Sequence, residues 1–521
     1  GKVITVDSNF SIVQAVAVKD AKIVAVGTDE EVRALVGKDT KVLDLKGKTM
    51  LPGINDAHIH LSVMGTRRPP LALDVGYPTV RSINEIAEMV GEKVKAVQPG
   101  EWIRGSGWDE AYLEECLRGP ARHPTRWGLD AVSPDNPVCL THFSMHDAWV
   151  NSKALELAKI TKDTPNPKGG EIVRDPNTAE PTGILKELSA SNLVKVVIPP
   201  FTKEQQRQAI ILAMNELISL GITSITDPFC TPEVISLYND LYNEGKLPLR
   251  VNMLLVAGDV ETDMGQNTLK AMQETLAKVG THTGFGNEWL RISGYKILSD
   301  GIPGSKTAWM YDEYIGGGCG ALVISGETDE ERYNQLINMI VYAHKRGFQV
   351  AVHACGDRAV DACVGGFIKA MQEEPWDARH YIIHAQNLRT PECAKRLAEH
   401  NIGVNTQSVV KWTISDYIDD IIGKERSARE WPVRTLIDAG VHVSNSSDCP
   451  VAHPNWKQGV EAAILRESKA TGKVCGPEQC ITVEEAIRTF TIEGAWQDHM
   501  ENVKGSIDVG KLADFCVLGE D

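Results

Sequence analysis

The chain has 521 residues, 42% of them hydrophobic and 24% charged, and this composition excludes a disordered or collagen-like protein. Its 54 basic and 70 acidic residues give a net charge of −16, which repels a phosphate backbone, so we expect no nucleic-acid partner. The sequence has no apolar run of about 18 residues and opens on strand-like residues, so we expect no membrane partner and a cytoplasmic location.

Both ends of the chain show the alternating apolar and polar residues of short β-strands. The alternation covers residues 3–6, 15–18 and 23–27, and residues 505–518 repeat the same order of turns and strands. Neither end has enough strands to bury a face alone. The pattern therefore predicts one composite β-sandwich built from residues 1–52 and 485–521.

Between these ends, a helix followed by a strand recurs. The clearest unit begins with a capping box of Thr328 and Glu331, reaches about Arg346 and leads to a buried strand at 348–353. Similar units precede strands at residues 222–227, 404–407 and 441–448. Because this alternation is typical of a parallel sheet, it predicts an α/β fold: a distorted (β/α)8 TIM barrel over residues 53–484.

A long insertion at about residues 65–200 interrupts this order. The segment is rich in Pro, Gly and Trp. An insertion of this length is more typical of a lid or subdomain than of a disordered loop, and we expect it to contribute substrate contacts. Its tryptophans fit an aromatic or apolar substrate, and they fit packing inside a subdomain equally well: Trp102, Trp108, Trp127 and Trp149.

Polar residues end the predicted apolar strands of the barrel. They are His58, His60, Asp227, Asp300, His353, His384 and Asp448. His and Asp are uncommon on buried strands, and in (β/α)8 barrels the active site lies at the carboxyl ends of the strands. These residues are therefore candidates for the active site. Cys355 and Cys449 lie close to these positions, but the 11 cysteines are scattered without a Cys-x-x-Cys pair, which favours reduced thiols used as small fillers.

The residues His58-Ile59-His60 point to a metal site. On a strand, residues two apart project to the same side, so both imidazoles can bind one ion. A lone His-x-His is weak evidence, since a polar strand end looks the same. With His353, His384 and Asp448 it forms a set of nitrogen and oxygen ligands that suits zinc, with Fe, Mn, Co and Ni as competitors.

Lys296 lies in an apolar run that we expect to be a barrel strand. A buried ammonium is costly unless it is neutralised or modified. Reaction with carbon dioxide would convert it into a carbamate that can bridge two metal ions. The alternative is an ion pair with a carboxylate such as Asp300.

Several longer motifs together resemble a known family. The chain is similar to the amidohydrolase superfamily of metal-dependent hydrolases and, within it, to the YtcJ-like branch (amidohydrolase family 3), which includes N-substituted formamide deformylases. The similarity spans essentially the whole chain, in the family's order. Its motifs lie at residues 51–60, 107–109, 146–155, 296–301, 353–359, 384–386, 447–451 and 505–514.

The resemblance implies a distorted barrel joined to the composite sandwich, with one or two divalent ions per chain. By this analogy His58 and His60 bind the more buried ion, and His353 and His384 bind the more exposed one. Carboxylated Lys296 would bridge them, and Asp448 would bind the first ion and move the catalytic proton.

Four further residues are candidates for substrate binding. Trp108, His146 and Arg358 could donate hydrogen bonds to a negative intermediate, and Glu187 could be a carboxylate that contacts the substrate or a metal ligand. Each has a structural alternative. Trp108 could be a packed residue, Arg358 a salt-bridged residue at a helix start, and Glu187 a charge on a helix face.

The family resemblance implies hydrolysis of an amide or formamide carbon–nitrogen bond in a small molecule. Opening of a cyclic amide or imide is the nearest alternative, because the same metal chemistry serves both. A metal-bearing binding or regulatory protein without turnover is the alternative outside enzymes. Aminohydrolysis of a nucleobase-like ring is disfavoured, since His353 is not followed by the expected Glu. A homodimer is compatible with the sequence.

Overall fold

The computed structural model describes residues 1–118, 123–167, 170–258 and 268–519. It divides into two units. The first, here called the barrel unit, contains Gly1–His60 and Met214–Asp521; the second, here called the inserted unit, contains Leu61–Ala213.

The strands are numbered in chain order. They are β1 Lys2–Ile4, β2 Ile12–Val13, β3 Ala15–Lys19, β4 Lys22–Gly27, β5 Thr49–Pro52, β6 Ile54–Asp56, β7 Leu73–Asp74, β8 Ile103–Trp108, β9 Val138–His142, β10 Ala148–Val150, β11 Glu171–Arg174, β12 Pro181–Lys186, β13 Ile222–Cys230, β14 Arg250–Leu255, β15 Leu290–Leu298, β16 Val350–Ala354, β17 Tyr381–His384, β18 Gly403–Thr406, β19 Val443–Asn445 and β20 Phe515–Val517.

The helices follow the same convention. They are α1 Asp29–Arg33, α2 Leu61–Thr66, α3 Ile83–Lys95, α4 Glu114–Arg118, α5 Arg126–Asp130, α6 Ser152–Leu157, α7 Glu187–Lys195, α8 Lys203–Ser219, α9 Pro232–Asn243, α10 Leu269–Val279, α11 Asp329–Lys345, α12 Asp357–Glu373, α13 Pro391–Glu399, α14 Ser408–Ile414, α15 Asp419–Ile422, α16 Lys424–Arg429, α17 Val433–Asp438, α18 Trp456–Leu465, α19 Val483–Thr489 and α20 Ile492–Gln497. Among the described residues, we find no helix with the length and apolar character that crossing a bilayer requires.

Eight parallel strands form the core of the barrel unit. Their order is β6, β13, β14, β15, β16, β17, β18 and β19, which is also their order along the chain. The Ala57 N–H donates to the Asn445 carbonyl at 3.4 Å, so the last strand returns to the first. This closed arrangement confirms the predicted (β/α)8 barrel.

The local signals in the sequence explain where the barrel helices begin. The side chain of Thr328 accepts from the backbone N–H of Glu331, and the Glu331 carboxylate accepts from that of Thr328, which is the predicted capping box at the start of α11. The next strand, β16, is apolar and buried, with Val350 and Ala351 fully inaccessible. Such strands are buried on both faces because helices cover the outside of the barrel.

The two chain ends combine into a second β structure of the barrel unit. Strand β5 pairs in parallel with β1 and antiparallel with β20, so the N-terminal and C-terminal segments share one four-stranded sheet. The β3–β4 hairpin is a separate sheet, and both sheets contribute to one apolar core of Val3, Ile23, Met50 and Ile507. This is the composite β-sandwich that the sequence predicted.

The inserted unit has a sheet and a core of its own. Its six strands lie in the order β11, β12, β10, β9, β8 and β7, with β7, β8 and β9 parallel to one another. The core beside them contains Ile103, Trp108, Val138 and Trp149, all of them buried. The segment is thus a folded subdomain, and its predicted use as a lid stays a prediction.

Candidate active site

The six residues predicted to bind metal all lie at the carboxyl ends of barrel strands. His58 and His60 come directly after β6 and not on it, which differs from the strand geometry assumed from the sequence. Lys296 and His353 lie within β15 and β16, His384 ends β17, and Asp448 follows β19. The closed barrel therefore brings them to one end of the sheet.

His58, His60 and Asp448 form the first group. The Nε2 atoms of His58 and His60 lie 3.3 Å and 3.2 Å from the same carboxylate oxygen, Oδ1 of Asp448. Two backbone hydrogen bonds fix the loops that carry them: the Asp448 N–H donates to the His58 carbonyl at 3.0 Å, and the His60 N–H donates to the Cys449 carbonyl at 3.0 Å. Both imidazoles thus converge on one point.

His353 and His384 form the second group. Their ring centroids lie 4.5 Å apart and nearly perpendicular, and the His384 ring lies 5.9 Å from that of His58. The Sγ atom of Cys355 lies 3.6 Å from Nε2 of His353. One ligand atom from each of His353, Cys355 and His384 lies within 4.8 Å of the others, so the thiol belongs to this group although its sequence context favoured a filler.

A chain of hydrogen bonds orients His384. Its Nδ1 lies 2.6 Å from Oε1 of Gln407, whose amide nitrogen donates to Oδ1 of Asn405 at 2.7 Å and to Ser446 Oγ at 3.0 Å. Because the Gln407 oxygen can only accept, Nδ1 of His384 carries the proton. The lone pair of Nε2 is therefore available to bind a metal ion.

Burial sets the ionisation of this region. Burial, helped by the charge of Lys296, lowers the pKa of His58 to about 3, and burial lowers that of His384 to about 3 as well. Both imidazoles are therefore neutral at pH 7, the form that binds metals. Burial raises the pKa of Asp448, but hydrogen bonds with His58 and His60 outweigh it and hold the pKa well below its ordinary value.

Lys296 is almost inaccessible to solvent, with 3% of its surface exposed. Burial lowers its pKa to about 7, although the charge of Asp448 acts in the opposite direction. Asp300, the partner considered from the sequence, accepts backbone hydrogen bonds from Trp309, Cys355 and Gly356 at 2.8–3.0 Å. A large share of Lys296 is thus an uncharged amine at neutral pH.

Sequence reasoning missed two residues that position this site. Gln407 fixes His384 as described, and Oδ1 of Asp56 accepts from the backbone N–H groups of Ser447 and His58 at 3.1 Å and 3.4 Å. Asp56 thus joins the two loops that carry His58 and Asp448. Their positions at strand ends could have indicated these two residues, because Gln407 comes one residue after β18 and Asp56 is the last residue of β6.

The four predicted substrate-binding residues are distributed over both units. In the inserted unit, Trp108 is 1% exposed and lies within the apolar core. His146 and Glu187 form a pair, with Nδ1 of His146 2.9 Å from Oε2 of Glu187. In the barrel unit, the Arg358 guanidinium lies 4.2 Å from the centre of the Trp309 ring. Their roles in substrate binding stay predictions.

Comparisons with known proteins agree with this fold. The model of the amidohydrolase family matches residues 41–521. N-substituted formamide deformylase of Arthrobacter pascens is 30% identical over 99% of this chain and 92% of its own length. The putative amidohydrolase YtcJ of Bacillus subtilis is 30% identical over 98% of this chain and 91% of its own.

A solved structure is similar over the whole length. An uncharacterized metal-dependent hydrolase from Pyrococcus horikoshii superposes with a TM-score of 0.77 at 25% identity, covering 100% of this chain and 96% of that protein. The chain belongs to the amidohydrolase family. It is a hydrolase that acts on carbon–nitrogen bonds, in a family that depends on metal.

Proposed function

We propose that the chain hydrolyses an amide or formamide bond of a small molecule at a zinc centre of His58, His60, Lys296, His353, His384 and Asp448. The observation that carries the proposal is the convergence of both histidines of the first group on one oxygen of Asp448. The similarity to a formamide deformylase supports the bond that is cut.

The residues fit a divalent ion. They offer neutral imidazole nitrogens and a carboxylate, a donor set that suits zinc. Burial keeps the imidazoles of His58 and His384 neutral at pH 7, which is the form that binds a metal ion.

Asp448 performs the proton transfer. When present, a divalent ion lowers the pKa of a water molecule and polarises the substrate carbonyl. Asp448 is ionised at neutral pH, so it can accept the proton of the attacking water and deliver it to the departing nitrogen. One carboxylate thus serves first as general base and then as general acid.

Lys296 supplies a further ligand after carboxylation. Its neutral amine attacks carbon dioxide, a nitrogen–carbon bond forms, the nitrogen loses a proton, and an anionic carbamate results. The low pKa of Lys296, about 7, supports this reaction at neutral pH. The carbamate removes the cost of a buried cation and adds an oxygen donor.

Release of amine from N-formyl and N-acyl amines tests the proposal. Zinc-loaded protein should produce equal amounts of amine and acid, and Asp448→Asn should lower kcat by about 10³-fold. The matched control is Asp39→Asn, an exposed carboxylate that should leave kcat unchanged. Cleavage of cyclic amides or imides alone would favour the alternative substrate class, and turnover unaffected by Asp448→Asn would refute the assigned role.

A further inference from the structure

A second group of histidines and carboxylates lies in the inserted unit. Asp109 and Glu110 come directly after β8, and His142 is the last residue of β9. These two strands pair in parallel with Trp108 opposite His142. The carboxyl ends of the two strands therefore place an acidic pair and an imidazole at the same edge of the sheet.

Glu110 lies at the centre of this group. Its Oε1 is 3.3 Å from Nδ1 of His123, and its Oε2 is 3.1 Å from Nε2 of His142. One ligand atom from each of Asp109, Glu110 and His142 lies within 4.8 Å of the others. Ligands around a tetrahedral zinc ion with bonds of 2.0–2.1 Å are separated by about 3.3 Å, which is close to the distances from Glu110 to His142 and His123.

The facing atoms are close but make no well-directed hydrogen bond. Oε2 of Glu110, Nε2 of His142 and Nδ1 of His123 are all buried, and none has a hydrogen-bond partner among the residues that the structure describes. His142 as a whole is only 8% exposed. A bound cation would contact all three atoms and remove this cost.

The surroundings hold the His142 ring in place. Its Nδ1 lies 2.7 Å from Oγ of Ser144 and 3.3 Å from the Ser144 backbone nitrogen, and the ring packs edge-on against Trp108 at 4.7 Å. The Ser144 backbone N–H donates to Nδ1, so here Nε2 carries the proton towards Glu110. An ion on Nε2 would require the other tautomer, in which Nδ1 donates to the Ser144 hydroxyl, the arrangement typical of histidine ligands.

We propose that Glu110, His142, His123 and Asp109 bind a divalent transition-metal ion, zinc being the probe of choice. The site uses none of the six residues proposed for the catalytic centre. Asp109, Glu110 and His142 offer the compact set of ligand atoms, and His123 reaches it through its contact with Glu110. The ion would fasten the segment after β8 to the end of β9 and to His123.

The competing interpretation is a purely electrostatic cluster, in which Glu110 pairs with protonated histidines and no metal binds. The two interpretations differ in zinc stoichiometry. The test uses the full chain in the double variant His58→Gln/His60→Gln, which weakens zinc binding at the catalytic centre. The protein is stripped with chelator, dialysed against micromolar zinc chloride, and analysed for zinc per chain and for its thermal midpoint.

We expect Glu110→Gln and His123→Gln, each added to that double variant, to bind about one zinc fewer per chain and to lose the rise in midpoint that zinc produces. The control Glu92→Gln removes an exposed carboxylate and should bind zinc like the parent. His123 is partly exposed, so its variant should fold even if Glu110→Gln does not. Unchanged zinc content in both variants, or no zinc-dependent rise in the parent, would overturn the proposal.

Discussion

Asp448 makes contacts with both histidines of the first group, and its backbone is fixed to the strand end that carries them. Its φ of 55° lies in the left-handed region, which costs a non-glycine residue energy and is retained where the surrounding structure enforces it. At the scale of single residues, the site therefore depends on the residues that hold the proposed ligands in place as well as on those ligands.

Gln407 is one such group. Gln407→Leu removes the acceptor for Nδ1 of His384, so we expect the affinity for zinc at the catalytic centre to fall about 10- to 100-fold. Competition with a fluorescent chelator would measure it. Gln208→Leu, at an exposed position of α8, is the matched control. Equal zinc affinity in both variants would show that Gln407 does not orient His384.

Carboxylation of Lys296 should depend on pH in a defined direction. Burial lowers the pKa to about 7, so the amine is protonated and unreactive at pH 6 and largely neutral at pH 8. With ¹³C-labelled bicarbonate, we expect a carbamate signal in the NMR spectrum at pH 8 that is weak at pH 6. Lys296→Met should lose this signal and Lys246→Met, at an exposed position, should keep it; a signal that survives Lys296→Met contradicts the assignment.

The proposed ligands could be predicted from the sequence because each lies where an apolar strand ends. Gln407 and Asp56 could not be predicted in this way, because their importance comes from the hydrogen bonds that they make with residues of other strands. Cys355 lies in the predicted motif, yet only the fold of the residues at the end of β16 shows that its thiol faces His353.

At the scale of elements, two helices that contact β19, the strand before Asp448, are joined to each other. Helix α19 begins with a capping box, in which Thr482 and Glu485 exchange hydrogen bonds. Both oxygens of Glu485 also accept from Arg434 of α17 at 2.7 Å and 2.8 Å. This contact connects the helices on either side of β19.

Glu485→Gln should therefore weaken the fold in a pH-dependent way. Arg434 lowers the pKa of Glu485 to about 2, from an ordinary value of 4.5. The folded-state pKa is the lower one, so this stabilisation is complete above pH 4.5 and is lost as pH falls towards 2. We expect a loss of about 1 kcal/mol at pH 7 by urea denaturation, shrinking at pH 3. An equal loss at both pH values would exclude a role of the charge.

Such elements were predictable where the signal is local. The capping box of Thr328 and Glu331 placed α11 correctly. The limits of the strands were less predictable, because His58 and His60 fall just beyond β6, where pairing with the neighbouring strands ends. Pairing is a property of the sheet and is not encoded in the alternation of one segment.

At the scale of the whole molecule, the C-terminal segment is fastened to the barrel. Arg250 of β14 is 4% exposed, and its Nε and Nη2 donate to the two oxygens of Asp514 at 2.6 Å and 2.9 Å. The Asp514 carbonyl also accepts from the Gly53 N–H at 2.7 Å, next to the first barrel strand. The two chain ends and the barrel thus share one framework.

Asp514→Asn should leave a buried guanidinium without its charged partner. We expect a loss of about 3 kcal/mol in the free energy of unfolding, measured by urea denaturation. The exposed pair of Lys246 and Glu244 is the comparison, and Lys246→Ala should cost less than about 0.5 kcal/mol. Similar losses for the two variants would show that the Arg250 contact does not stabilise the fold.

The composite sandwich was predictable because both ends repeat the same short-strand pattern and neither can bury a face alone. The fold of the inserted unit was not, since two parallel and three antiparallel strand pairs share one sheet. Nor did the sequence single out Glu110, His123 and His142, which are separated along the chain and come together only in the folded unit. The homodimer stays a prediction.

The most direct test of the account is an anomalous diffraction map recorded at the zinc edge on crystals of the zinc-loaded protein. We predict a peak within bonding distance of Nε2 of His58, Nε2 of His60 and a carboxylate oxygen of Asp448. The absence of a peak there, in protein that hydrolyses an N-formyl amine, would contradict the central claim that these residues form the catalytic metal centre.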